Sequence, residues 1–349
     1  MRRQYAEQLL GRDLGDWHCE RKLVYGPGDS GGNFSSGYFV LNTKTQQEGF
    51  LKAMDLTRAF LIESQLGLSR LQAIQYLAEA FNFEKDLCYR CRQGRLDRII
   101  HPIDNGQIDI DPNDYFSTVY FIVFERALAD VRKHLDAQLA FDVAWIYRCL
   151  HHAATALLQL HGNNIAHQDL KPSNLLVMSD QTSKIGDLGC ASLRDSGGPR
   201  DTKEIAGDPS YAPPELLYRS FDADWRIRRL GCDLFHLGSM VVFMFSRSTA
   251  TALLIQNLPM AYQPDVYVGS YLELRPYLLE AFDMMLEIFG RSVPERWRTS
   301  TIDLVKQLCH PIPSERGDKT NILYNLNQYD LTRFVSQLNL LASRAENAF

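Results

Sequence analysis

The chain has 349 residues, 45% hydrophobic and 23% charged, with 37 basic and 42 acidic side chains and a net charge of −5. This is the composition of a globular protein with a real core, which excludes disordered and fibrous classes, and at about 100–200 residues per domain the length fits two folded units or one unit of two lobes. Without a basic excess, a nucleic-acid partner held by bulk charge is not expected. The opening MRRQYAEQLLGRDLGDW is basic but lacks the apolar centre of a secretory signal. No later stretch approaches the ~18 apolar residues of a membrane span, so no membrane partner and a cytoplasmic location are expected. Seven cysteines run from Cys19 to Cys309, an odd and scattered set that predicts free thiols. Cys88 and Cys91 form a C-x-x-C without a second pair or a histidine cluster, and read as two small apolar residues on a helix face.

Residues 23–56 read as a three-strand meander: a Gly/Ser cluster, then YFVLN, the turn TKTQQEG and FLKAMDL. Helical spacing follows over 57–92, with Leu71, Ile74 and Leu77 in one stretch and Phe83, Leu87 and Cys91 in another. A β-type run fills 119–124. Beyond it the chain is mostly helical, beginning with Val143, Ile146, Leu150, Leu157 and Leu158. The polar stretch 194–204 is a mobile-loop candidate. The last helix is predicted to start at an Asp330 N-cap and to present Leu331, Phe334, Val335, Leu338 and Leu341 to the larger lobe.

The chemistry concentrates in HQDLKPSNLL at 167–176, KIGDLG at 184–189 and GDPSYAPPE at 207–215. In order and spacing these resemble the catalytic lobe of the eukaryotic-like Ser/Thr protein kinase family, in the manner of its compact bacterial members. The resemblance runs over residues 23–318 and implies an α+β, bilobal fold with a small β-rich N-lobe and a larger helical C-lobe. Residues 1–22 would then be an N-terminal extension, 23–124 the N-lobe with its Gly-rich loop, and 125–349 the C-lobe with an activation segment at 187–215.

By the same resemblance, Asp169 accepts or orients the proton of the acceptor hydroxyl, Lys171 steadies the γ-phosphate, and Asn174 and Asp187 would ligate Mg²⁺ through oxygen. Lys52 resembles the strand lysine that contacts the ATP phosphates, and Glu84 is chosen as its partner because Glu63 and Glu79 fit the register worse. The 32-residue gap from Lys52 to Glu84 predicts an extra helix within 57–80. Nucleotide contacts are expected from Gly31, Gly32 and Phe34 of the Gly-rich loop and from Phe50, the gatekeeper Phe124, Glu125 and Ala127 of the hinge, and Leu176. Asp233 resembles the aspartate that holds the catalytic loop, and Arg316 the partner of Glu215. ATP, Mg²⁺ and a protein substrate are the implied ligands. A pseudokinase that binds nucleotide or a partner without turnover, and a kinase for a non-protein acceptor, are the alternative readings.

Several positions depart from the family pattern. Ser30 and Ser35 stand where the first and third loop glycines usually sit. Gly37 and Phe50 replace a valine and an alanine that normally cover adenine; a small-for-large change beside a large-for-small one conserves volume, so Phe50 is expected to rebuild that roof unless it fills the pocket. Gln168 replaces the arginine that normally pairs with a phosphorylated loop, predicting a non-RD kinase independent of loop phosphate, although Ser196 and Thr202 remain modifiable. Asp208 replaces a threonine and either pairs with Lys171 or repels Asp169. Cys190, after Asp187-Leu188-Gly189, is read as a packing residue.

Overall fold

The computed structural model describes residues 4–24, 35–138 and 141–348. The chain divides into two units. The first comprises Met1–Ala129 with Leu176–Gln181 and Gly186–Gly189; the second comprises Asp130–Leu175, Thr182–Ile185 and Cys190–Phe349. Gly31, Gly32 and Phe34, expected to touch nucleotide, lie outside the described residues, as does Ser30.

The first unit is built on a six-stranded antiparallel sheet: β1 (Asp13–Leu14), β2 (Trp17–Lys22), β3 (Ser36–Asn42), β4 (Glu48–Asp55), β5 (Pro102–Asp109) and β6 (Thr118–Glu125), in the order β1-β2-β3-β4-β6-β5. Side chains alternate between faces along each strand. Tyr38, Val40, Leu51, Ala53, Val119, Phe121 and Val123 enter the core, and Tyr5, Leu9, Leu14 and Trp17 pack on the same side. The opposite face carries Gly37, Phe39, Phe50, Lys52, Ile122 and Phe124, because Gly37 pairs with Lys52, Phe39 with Phe50, Lys52 with Ile122, and Phe50 with Phe124.

Residues 4–22, set apart in the sequence reading, belong to this unit: they supply two strands of the sheet and a strip that closes its core. Tyr38 Oη donates to the Ala6 carbonyl at 2.9 Å, Tyr5 Oη to Asp114 at 2.8 Å, and Trp17 Nε1 to Asp104 at 2.8 Å. Glu7 accepts from Ser36 Oγ at 2.7 Å and Arg58 at 2.6 Å and pairs with Lys22. Burial alone would raise the Glu7 pKa, but these donors and charges outweigh it and hold the carboxyl below its usual range. A two-residue strand gives no periodicity to read, which is why β1 escapes a sequence pattern.

Two helices complete the unit. The Lys52–Glu84 gap is filled by α1 (Ala59–Leu66), ended by left-handed Gly67 at φ 63°, and by the first half of α2 (Arg70–Gln93). A capping box starts α2: Ser69 accepts from the Gln72 amide and Gln72 accepts from the Ser69 amide. Its buried residues are Ala73, Leu77, Glu84, Leu87, Cys88 and Cys91, so the C-x-x-C is a packing pair; burial first, then the Glu84 charge, raises the Cys88 pKa.

The second unit is helical: α3 (Val131–Ala137), α4 (Val143–Gly162), α5 (Pro214–Leu217), α6 (Gly231–Ser246), α7 (Ala250–Gln256), α8 (Tyr271–Ser292), α9 (Glu295–Leu308), α10 (Lys319–Leu323) and α11 (Thr332–Glu346). Every residue of α6 from Gly231 to Phe245 is buried, so this helix is the spine of the unit. Arg148 of α4 reaches Glu346 of α11 through two bonds of 2.8 Å. α11 begins one residue later than expected. Asp330 caps the turn before it by accepting from the Thr332 amide at 2.8 Å, while Leu331 takes the N-cap position with no side-chain bond.

Candidate active site

In the first unit, Lys52 Nζ lies 2.6 Å and 2.8 Å from the two carboxylate oxygens of Glu84 and 3.1 Å from Asp187 Oδ1. Burial disfavours the ammonium, but the Asp187 and Glu84 charges and their hydrogen bonds dominate and keep Lys52 protonated. Asp187 sits in the left-handed region at φ 60°, a conformation aspartate tolerates better than most residues, and its side chain is 46% exposed. A Cβ at Gly189 would stand 3.3 Å from Asp187 Oδ1, so a glycine there leaves the carboxylate room. Leu176 and Ile100 pack against Gly186.

The Gly37–Phe50 question is answered by space. A Cβ on Gly37 would lie 2.7 Å from Phe50 Cζ, so the phenyl ring occupies the volume a valine would need. Phe50 meets Phe39 edge-on at 5.8 Å between centroids. Phe124 faces Phe50 across the strand pair and is buried, and the Glu125 amide donates to the His101 carbonyl at 3.1 Å.

In the second unit, Asp169 is held on both carboxylate oxygens. Oδ1 accepts from the Asp208 amide at 2.8 Å, while Oδ2 accepts from Asn174 Nδ2 at 3.0 Å and lies 3.1 Å from Lys171 Nζ. Asn174 Nδ2 also donates to the Asp169 carbonyl at 2.8 Å, which leaves its Oδ1 as the oxygen the side chain could offer a cation. Asp208 pairs with Lys171 at 3.5 Å through Oδ2, and its Oδ1 accepts from Ser210. Burial pushes the Asp208 pKa up, but the Ser210 hydrogen bonds and the Lys171 charge pull it below the usual value. Of the two outcomes open in the sequence, pairing with Lys171 is the one realised.

The backbone beneath Asp169 is fixed from α6. The fully buried Asp233 accepts from the His167 and Gln168 amides, each at 2.7 Å, and from His161 at 2.9 Å. Gln168 takes φ 67°, a cost met by these two bonds. Gly207 escaped the sequence reading as a site residue: a Cβ there would lie 2.4 Å from the Gln168 carbonyl and 2.6 Å from Asp169 Oδ1. One sequence carries no signal separating such a glycine from a turn glycine. Glu215 and Arg316 form a buried two-pronged pair, both bonds 2.7 Å, and Arg316 also donates to the carbonyls of Gly231 and His310.

The model of the protein kinase domain family matches residues 109–325, more than half of the chain. The chain belongs to the protein kinase domain family. Among curated relatives, the Drosophila melanogaster serine/threonine-protein kinase fused is 31% identical over 166 residues, covering 47% of this chain and 20% of that protein. The Oryza sativa subsp. japonica serine/threonine-protein kinase Nek3 is 30% identical over 199 residues, covering 56% of this chain and 28% of that protein. A Debaryomyces hansenii Aurora kinase is 25% identical over 195 residues, with 55% and 43% covered. The matches thus span 20–43% of the length of these relatives. The family match begins after Lys52 and Glu84, so that ion pair is an observation independent of it.

Within the first unit, Lys52 offers a fixed positive charge beside the Asp187 carboxylate; within the second, Asn174 offers an amide oxygen beside Asp169, and the carboxylate and the amide are both oxygen donors of the kind a hard divalent cation takes.

Proposed function

We propose that this kinase-family chain transfers the γ-phosphoryl of ATP, with Mg²⁺, to a serine or threonine hydroxyl of a protein. One observation carries the reading: Lys52 is engaged by Glu84 and Asp187 together, the arrangement phosphoryl transfer requires of its lysine, and three intact charged positions are not what a chain without turnover needs to keep. Asp187 and Asn174 would hold Mg²⁺, which on binding neutralises charge on the transferring phosphate. Lys52 would orient the α/β-phosphates. Asp169 would align the acceptor hydroxyl and take its proton as the hydroxyl oxygen attacks the γ-phosphorus and ADP leaves. Lys171, already fixed beside Asp169, would balance the charge developing on the transferred group.

Gln168 supports a non-RD kinase whose activity is independent of loop phosphate. Seven free, buried cysteines support the proposal of a reducing, cytoplasmic location. The test is transfer of labelled γ-phosphate to a generic basic protein, with and without Mg²⁺, by wild type and Asp169→Ala. Label that depends on both metal and Asp169 supports the reading. ATP-dependent thermal stabilisation without transfer to any hydroxyl acceptor would replace it with the pseudokinase.

A further inference from the structure

Within the segment 194–204, Asp201 forms an ion pair with the buried Arg229. Asp201 Oδ1 lies 2.9 Å from Arg229 Nη2, which also donates to the Asp201 carbonyl at 3.1 Å. The other oxygen, Oδ2, accepts from Ser192 Oγ at 2.9 Å and from the Gly198 amide at 2.9 Å, and Ser192 Oγ in turn accepts from Trp225 Nε1 at 2.9 Å. Arg229 then turns inward. Its Nη1 donates to Gln168 Oε1 at 3.3 Å, and Gln168 Nε2 donates to the Arg229 carbonyl at 2.8 Å. A continuous chain of contacts therefore runs from Asp201 through Arg229 to the residue adjoining Asp169.

The charges in this chain are matched. The Arg229 side chain is only 5% exposed, and a guanidinium so far from water needs a fixed anion. Asp201 supplies one negative charge against one positive. Gln168 bridges without charge, its Nε2 also 3.3 Å from Asp233 Oδ1; an arginine at that position would set a second cation beside Arg229. The amide at 168 and the carboxylate at 201 are thus complementary features.

We propose that Asp201 is a positioning residue: clamped by Arg229, its carboxylate holds the activation segment against the catalytic loop, supplying from within the chain the anion that a phosphorylated loop residue supplies where an arginine precedes the catalytic aspartate. The inference rests on the kinase reading above and deepens it by naming what replaces loop phosphorylation.

The experiment measures kcat and KM for the full chain before and after phosphatase treatment, alongside Asp201→Asn, Asp201→Ala and, as a control on the exposed part of the same segment, Asp195→Asn. Wild type and the control are expected to be indifferent to phosphatase. Asp201→Asn is expected to lose kcat by roughly 10–100-fold, as a small displacement of catalytic groups does, with the KM for ATP unchanged. Added formate is expected to restore part of the kcat of Asp201→Ala, which a merely structural role would not allow. Should the Asp201 variants not fold, Gln168→Arg, which keeps the Asp201 carboxylate, is expected to produce the same loss of kcat. Wild-type transfer with full kcat in Asp201→Asn, or in Gln168→Arg where that variant decides, would overturn the clamp alone. No transfer by wild type would remove the kinase reading and the clamp with it.

Discussion

Phe50 and Gly37 form a pair whose meaning depends on both members. The ring fills the space a side chain at 37 would claim, so Gly37→Val is expected to destabilise the first unit by about 1–3 kcal/mol through overpacking. Phe50→Ala is expected to weaken ATP binding, and the double variant to recover much of both losses. A double-mutant cycle by thermal unfolding and ATP titration should give a coupling of about 0.5–3 kcal/mol. Tighter ATP binding in Phe50→Ala would mean that the ring blocks the pocket rather than roofs it. Asp208→Thr removes one of two carboxylates beside Lys171, and the expected outcome is retained activity with the pH dependence of kcat shifted, read from a pH–rate profile. At this scale the sequence was legible wherever a residue belongs to a spaced motif, as with Asp169, Asn174, Asp187 and Lys52. It was silent where a contact is made in space only: Arg229 meets Asp201 across 28 positions, and Gly207 matters through the atoms its missing Cβ would strike.

The helices show how burial turns single residues into stability terms. Glu84 was placed by register, and the structure sets it on the buried face of α2 with α1 taking up the extra length before it. On α6, His236 is fully enclosed with Cys232 Sγ at 3.7 Å, and burial pulls its pKa from 6.5 to about 4. Between those values the unfolded chain binds the proton and the folded chain does not, so stability rises with pH across that interval and falls as pH drops below about 6.5. Denaturant midpoints measured from pH 7 to 5 should fall steadily, and less so in His236→Gln. The Glu215–Arg316 pair makes a different forecast. Arg316→Met strands a buried carboxylate and is expected to cost about 3–5 kcal/mol, whereas Glu215→Leu with Arg316→Met should unfold close to wild type. Equal losses in the single and double variants would contradict this. The 3.6-residue periodicity revealed the longer helices, but a helix start set by local capping, that of α11 at Thr332, was displaced by one residue because an Asx turn and an N-cap look alike in sequence.

Across the whole molecule, the α+β composition was readable from the change of hydrophobic period near residue 124, and the family from motifs that the family match covers from residue 109 onward. All seven cysteines are free and buried, and burial raises the thiol pKa of Cys19, Cys91 and Cys149 to about 12. Native protein is therefore expected to resist iodoacetamide at neutral pH and to react fully in denaturant, with no change of thermal midpoint under reducing agents; rapid native labelling at Cys190 would point to a reactive thiol there. The least legible region was the start of the chain, where short strands and tertiary hydrogen bonds, rather than periodicity, join residues 4–22 to the sheet. That attachment bears on where an expression clone is cut. Trimming to residue 23, where motif resemblance begins, would uncover Tyr38, Leu51 and Val123 and leave the Arg58 guanidinium without its carboxylate. Such a clone would precipitate because its sheet lacks a cover, and its silence in an assay would say nothing about the chemistry of Asp169.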